Sequence, residues 1–264
     1  MADPLFKVGV LGATGFIGAP YRAEIRECNE AGIVAVCARR KDLLARAAEE
    51  DGAQLATSDW QEVVEHPGVN FVIVGTPDAL HHEAVLACAE QGKHLLCEKP
   101  VGMNAAEAGE MWGLYRDARP ALAHFVPFWT RMVRVFEIAR EMVAANELGE
   151  IVSTVFRWQN PRPADMPLTW RDDPMLSSAG TIADVGSHAY DVVRWIMGTE
   201  ASSVLAHGET LTPSKADLGE INLGEALDWG RDGTKAAGSS RQGGTVDYAS
   251  VACRYANGAV GTYL

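Results

Sequence analysis

The first half of the chain repeats one unit: a short unbroken apolar run, a turn, then a stretch with helical periodicity. The apolar runs are Phe6 to Leu11, Ile33 to Ala38, Val69 to Val74 and Leu95 to Cys97. Helical patterns follow them to about Asn29, over Lys41 to Glu50, Ala79 to Gln91 and Asn104 to Asp117. Strands without polar alternation need cover on both faces, and connections long enough to hold a helix return the chain to a parallel neighbour. The pattern therefore predicts an α/β fold with a doubly wound parallel sheet.

After Ala121 to Val126 the pattern changes. Met132 to Asn146 reads as an amphipathic helix, Ile151 to Trp158 as a half-buried strand, and Asp184 to Met197 as a second helix. Ser203 to Glu209 reads as a strand, and Asp247 to Tyr255 with Ala259 to Leu264 as a hairpin about Asn257-Gly258. The glycine- and charge-rich stretch from Pro213 to Gly244 reads as a mobile loop. We expect a dinucleotide-binding domain over 1–122 and an α+β domain over 123–264 with an open, mostly antiparallel sheet. Leu264 falls inside an apparent strand, so truncation of a longer chain is expected. A length of 264 residues with 47% apolar residues suits two such cores.

Net charge is −12 and no basic arm is present. Nucleic acid and anionic membrane are poor partners for such a surface. With no signal-like or membrane-length apolar run, the expectation is a soluble, cytoplasmic protein. The five cysteines form neither a C-x-x-C nor a Cys/His cluster, so no metal site is expected and the thiols read as small hydrophobes.

Gly12, Thr14, Gly15, Phe16, Ile17 and Gly18 form a turn between the first strand and the first helix. Glycines there let the backbone approach a pyrophosphate, whose charge the free N–H groups of the helix start stabilise. At the end of the second strand, where an acid would hold a free ribose 2′-OH, the chain has Ala38-Arg39-Arg40-Lys41. An arginine fork suits a 2′-phosphate, so NADP(H) is expected in preference to NAD(H). Thr76-Pro77 follows the third run at the carboxyl edge, where ligands of such sheets bind, and His81 lies on the next helix. There a solvent-facing histidine is the common outcome.

Two further stretches carry titratable groups: Glu98-Lys99-Pro100, where an apolar strand emerges, and Asp184-Val185-Gly186-Ser187-His188. The latter puts an acid and a histidine one helical turn apart. The Lys99-Pro100 bond is a candidate for the cis form.

The pattern Thr76-Pro77, His81, Gly92-Lys93-His94 and Cys97-Glu98-Lys99-Pro100 resembles the most specific signature of the glucose–fructose oxidoreductase / inositol dehydrogenase (Gfo/Idh/MocA) family. Trp170-Arg171, Gly180, Asp184-x-Gly186-x-His188-x-x-Asp191 and Trp195-x-x-Gly198 resemble its second. The likeness runs over essentially the whole chain. Thr14 stands where a second glycine is common, and Ser178-Ala179-Gly180 replaces a glycine run. The resemblance implies a Rossmann domain, a second domain whose sheet often forms a homo-oligomer interface, and hydride transfer on sugars or polyols. Glu98 and His81 fall within the part of the signature that borders the cofactor.

In that chemistry a neutral histidine near its pKa suits a general base, which assigns the role to His188. Asp184 would orient it or contact the substrate hydroxyl, and Lys99 would hydrogen-bond the reacting oxygen. Asp191 reads as structural, pairing with Arg194. His124, Trp129, Arg131, Trp158, Asn160, Trp170 and Arg171 are candidate substrate contacts, because aromatic faces stack on sugar rings. A short-chain dehydrogenase would need Tyr-x-x-x-Lys, which none of the six tyrosines offers. A semialdehyde-type enzyme would need an exposed thiolate. From another class, a non-catalytic NADP-binding sensor on the same scaffold would tend to lose Lys99 or His188, and both are present.

Overall fold

The computed structural model describes residues 4–160, 162–163, 165–232 and 239–264, and its contacts divide the chain into two compact units. The first comprises Met1–Pro127 with Asn222–Glu225, the second Phe128–Ile221 with Ala226–Leu264.

The first unit is a six-stranded parallel sheet of β1 (Phe6–Leu11), β2 (Ala31–Cys37), β3 (Leu55–Thr57), β4 (Phe71–Val74), β5 (His94–Cys97) and β6 (His124–Phe125). Its order is β3-β2-β1-β4-β5-β6, so the order reverses next to β1. That is the switch point where such sheets open a ligand crevice. The interleaved helices are α1 (Gly18–Glu27), α2 (Lys41–Asp51), α3 (Trp60–Glu65), α4 (His81–Glu90) and α5 (Ala105–Gly113). Two apolar clusters pack on the sheet, one around Val72, Val74, Cys88 and Tyr115, the other around Val10, Val36 and Ile73. Strands apolar on both faces are thus covered on both faces. Four of the five cysteines are buried, Cys28 alone being exposed. Burial pushes the Cys37 thiol up to about 11 and the Cys88 thiol up to about 12, which leaves them inert.

Three expectations are revised here. The sequence pattern passed over β3 and α3. The sheet takes His124 and Phe125, not read as a strand, as its sixth strand. And His81, rather than facing solvent, is fully buried.

In the second unit, β7 (Ser153–Phe156), β8 (Ala201–Glu209), β11 (Tyr248–Tyr255) and β12 (Val260–Tyr263) form a sheet of order β7-β12-β11-β8. Its pairs are antiparallel except β7 with β12. Helices α6 (Arg134–Ala144) and α7 (Ser187–Met197) pack on one another, and Ala189, Val192 and Val193 of α7 join Cys253, Tyr255 and Tyr263 in a third cluster. A π-helical turn, Ile182–Gly186, leads into α7, which Gly198 ends in the left-handed conformation at φ 65°. The stretch read as a loop holds regular structure. It pairs β9 (Ser214–Ala216) with β10 (Ser240–Gln242) and includes helix α8 (Leu223–Arg231). Residues 233–238 of the stretch expected to be mobile lie outside the described residues.

A charged knot ties α1 to α2. Arg22, 5% exposed, pairs with Asp51 and with Glu50 at 2.9 Å, and it reaches the carbonyls of Ala47 and Ala13. Asp51, whose side chain is fully buried, also takes Arg26. Asp51→Ala is therefore expected to lower stability by about 3 kcal/mol, since it leaves a buried guanidinium underpaired. Arg26→Ala, whose head is 39% exposed, should cost under about 1 kcal/mol. Urea unfolding of both variants checks the ranking.

Candidate active site

The first unit gathers its candidate residues at the carboxyl edge of its sheet. Gly12 leaves β1 at φ 80°, and the N–H groups of Gly12 and Ala13 both donate to the Cys37 carbonyl at 3.0 Å. A Cβ on Gly12 would stand 2.4 Å from the Gly75 carbonyl oxygen, and one on Gly18 would stand 2.1 Å from that of Gly12. No side chain fits at either position. The start of α1 is thereby held close against the ends of β1 and β4. Thr14, Gly15, Phe16 and Ile17 make up this turn, and Phe16 is about half exposed.

After β4, Thr76 Oγ1 is buried and makes no hydrogen bond among the described residues. A buried hydroxyl without a partner beside a side-chain-free cradle fits a polar ligand such as a dinucleotide. His81 sits between the Thr76 and Pro100 carbonyl oxygens, 2.9 Å from each ring nitrogen. It braces the loop carrying Thr76 and Pro77 against the one carrying Lys99. Glu98 is engaged in the same bracing. It accepts the Tyr21 hydroxyl at 2.6 Å and the Lys99 N–H at 3.2 Å, and burial followed by Glu98 pushes the Tyr21 phenol up. Lys99 lies two residues beyond the end of β5, and its bond to Pro100 is cis. Arg39 is exposed, whereas Arg40 donates to both carboxylate oxygens of Glu225. His124 is an exposed edge-strand residue packed against Tyr115, with ring centroids 5.2 Å apart.

The second unit gathers aromatic rings about His188, which is 6% exposed. Phe128, Trp129 and Trp158 lie with centroids 5.6, 5.8 and 6.0 Å from the imidazole, the Trp158 ring stacked at 30°. The first turn of α7 places His188, the short helical turn Trp129–Met132 with its cap Phe128 places two of the rings, and Trp158 follows β7. One turn before His188, Asp184 accepts Arg162 Nη2 at 2.6 Å and stands 3.2 Å from Arg171 Nε. Arg171 also lies over the Trp170 ring, 4.5 Å from its centroid. Arg131 grips Asp191 in a fork at 2.7 and 2.5 Å, and Arg194 is 3.4 Å from the same carboxylate. The expected pairing of Asp191 with Arg194 is present, with Arg131 as the shorter contact. A cavity of about 1290 Å³ is lined by Trp158, Asn160, Arg162, Arg171, Asp184 and Tyr248, among others. Ser187 and Ala189 line it, while His188 between them does not.

Phe128, Arg162 and Glu225 escaped the sequence reading. Each acts on a residue distant in the chain, so no local spacing marks it. Among the described residues there is no cluster able to hold a metal ion, and no helix is long and apolar enough to cross a membrane.

Two models of one family divide the chain between them. The oxidoreductase family with an NAD-binding Rossmann fold matches residues 6–123, and the GFO/IDH/MocA C-terminal domain matches 136–264. The chain belongs to the Gfo/Idh/MocA family. It is 31% identical to levoglucosan dehydrogenase of Pseudarthrobacter phenanthrenivorans over 92% of this chain and 58% of that protein. It is likewise 31% identical to myo-inositol 2-dehydrogenase of Thermotoga maritima over 97% and 66%. A solved structure of levoglucosan dehydrogenase in complex with NADH and L-sorbose superposes with a TM-score of 0.80 at 26% identity, over 98% of this chain and 66% of that one. The chain thus spans about three fifths to two thirds of the length of these relatives.

The Arg131–Asp191 fork gives a direct test of what Arg131 does. Arg131→Ala is expected to lower stability by about 2 kcal/mol by stranding a carboxylate that is only 4% exposed. Arg131→Lys should recover less than about half of that, because an ammonium cannot form the fork. An unchanged urea midpoint for Arg131→Ala would show that the fork does not contribute to stability.

Proposed function

We propose that this chain carries the catalytic parts of an NAD(P)-dependent oxidoreductase that moves a hydride between a nicotinamide and a secondary alcohol or ketone of a sugar, polyol or inositol. The glycine turn carries the reading: Gly12 and Gly18 admit no Cβ because the Gly75 and Gly12 carbonyl oxygens occupy that space, and the tightly packed turn adjoins Thr76, whose buried hydroxyl makes no hydrogen bond among the described residues. Relatives named as sugar and inositol dehydrogenases support it. Gly12, Thr14, Gly15, Phe16, Ile17, Thr76 and Pro77 would hold the cofactor, with His81 and Glu98 acting through the loops they brace. Arg39, Arg40 and Lys41 favour NADP(H) over NAD(H), because a guanidinium fork matches a 2′-phosphate in charge and geometry. A homo-oligomer formed through the second unit's sheet, located in the cytoplasm, completes the proposal.

A nicotinamide dinucleotide held by these residues would supply or take up the hydride. The chain's own residues handle the proton and the oxygen. His188 removes the hydroxyl proton during oxidation and returns it during reduction. Its aromatic surround limits water, which strengthens any hydrogen bond made there. Lys99 donates to the reacting oxygen and stabilises the charge that develops on it. Asp184, shared between Arg162 and Arg171, is held in a fixed orientation from which it can meet a substrate hydroxyl. Trp129, Trp158, Asn160 and Trp170 remain candidate sugar contacts.

Titration with NADPH and NADH, followed by nucleotide fluorescence, should show both binding and NADPH the tighter. Lys99→Met and His188→Ala should each lower turnover by about 10² or more with nearly unchanged cofactor affinity. Full activity in either variant would reject the roles assigned. Binding without turnover on a panel of sugars, ketoses and inososes would instead favour a nucleotide sensor.

A further inference from the structure

At the end of β2, the position that reads the ribose in sheets of this kind, Ala38 replaces the usual acid and Arg40 follows. Arg40 Nη1 donates to the two carboxylate oxygens of Glu225 at 2.7 and 2.8 Å. The partner comes from 185 residues further along, in the first turn of α8. This turn, Asn222–Glu225, is counted with the first unit. It is fixed by a reciprocal cap: Asn222 N–H donates to Glu225 Oε2 at 2.8 Å, and Glu225 N–H donates to Asn222 Oδ1 at 3.0 Å. A Cβ on Gly224 would come 3.8 Å from the Phe16 ring, so the turn stands beside the glycine cradle. The two charged side chains are 33% and 39% exposed, which leaves the pair open to an incoming ligand.

We propose that Glu225 is a specificity-determining residue for the dinucleotide: its carboxylate competes with a ribose 2′-phosphate for the Arg40 guanidinium and so narrows the preference for the phosphorylated cofactor. The inference rests on the cofactor reading above and deepens it. A 2′-phosphate brings between one and two negative charges into the space beside Glu225. To take the Arg40 fork it must displace one carboxylate oxygen or accept a like charge at close range, and either weakens binding. A free 2′-hydroxyl meets no such conflict. It is neutral and can donate to the same carboxylate, so Glu225 supplies from a distant segment the acid that Ala38 does not. The basic cluster and Glu225 thus act in opposite directions on one ribose.

The test is the ratio of dissociation constants for NADPH and NADH, read by fluorescence titration of the full chain. Glu225→Gln keeps an oxygen for the Asn222 cap and removes the charge. It should tighten NADPH by about fivefold while NADH stays within about twofold, the partial exposure of the pair keeping the effect modest. Glu225→Ala should move the ratio the same way with a lower melting temperature from the lost cap. In an Arg40→Ala background the gain should vanish. An unchanged ratio in both Glu225 variants, or a gain that survives Arg40→Ala, would overturn the inference while leaving the cofactor reading intact. Failure of the unaltered chain to bind either nucleotide would remove the cofactor reading and this inference together.

Discussion

The first unit depends on how closely three backbone segments meet at the switch point of its sheet. The end of β1, the end of β4 and the start of α1 approach until a Cβ at Gly12 or Gly18 would overlap a carbonyl oxygen. Such contact is open only to glycine, and at Gly12 the positive φ adds a second reason. The approach aims the start of α1 across the strand ends, and so fixes where N–H groups and helix dipole can meet an anion. The surrounding braces serve that arrangement. Arg22 reaches the Ala13 carbonyl from a buried ion-pair knot, Tyr21 holds Glu98, and His81 ties the loop after β4 to the loop after β5. Lys99 is carried on the last of these loops, so its position inherits the rigidity of the whole edge.

The second unit uses a different device. His188 is embedded among three aromatic rings at the start of α7, and the carboxylates one turn to either side of it are each clasped by arginines. Asp191 is matched by Arg131 and Arg194, Asp184 by Arg162 and Arg171. Charge on this helix face is therefore balanced pair by pair, which keeps a nearly buried imidazole from facing uncompensated carboxylates. In a chain of net charge −12, that use of arginine is selective.

Much of this was legible in the sequence because it is local. Unbroken apolar runs gave the parallel strands, Asn257-Gly258 the β11–β12 turn, and the signature around Lys99 the family. The elements missed are those whose signal is weak or distant. β3 has three residues and β6 two, too few for a periodicity to show. Helix α8 lies in a stretch rich in glycine and charge, and its capping pair Asn222 and Glu225 was outweighed by that composition. Ion pairs were the least legible. Arg131 meets Asp191 across 60 residues and Arg40 meets Glu225 across 185, separations that no spacing rule encodes. For that reason the sequence reading held neither the Arg131 pairing with Asp191 nor the Arg40 pairing with Glu225. His81 shows the reverse error: a polar residue near a helix start reads as exposed, although here the ring is buried with each nitrogen 2.9 Å from a backbone carbonyl oxygen.

The central proposal is that hydrogen passes directly between a carbinol carbon and the nicotinamide of a dinucleotide bound at the glycine turn. Incubating the protein and oxidised cofactor with polyols and sugars deuterated at the carbinol carbon, then weighing the cofactor by mass spectrometry, reads that transfer directly. The account predicts deuterium on the reduced cofactor from at least one of these substrates. Reduced cofactor carrying only solvent hydrogen, or none formed from any of them while the nucleotide is bound, would contradict it.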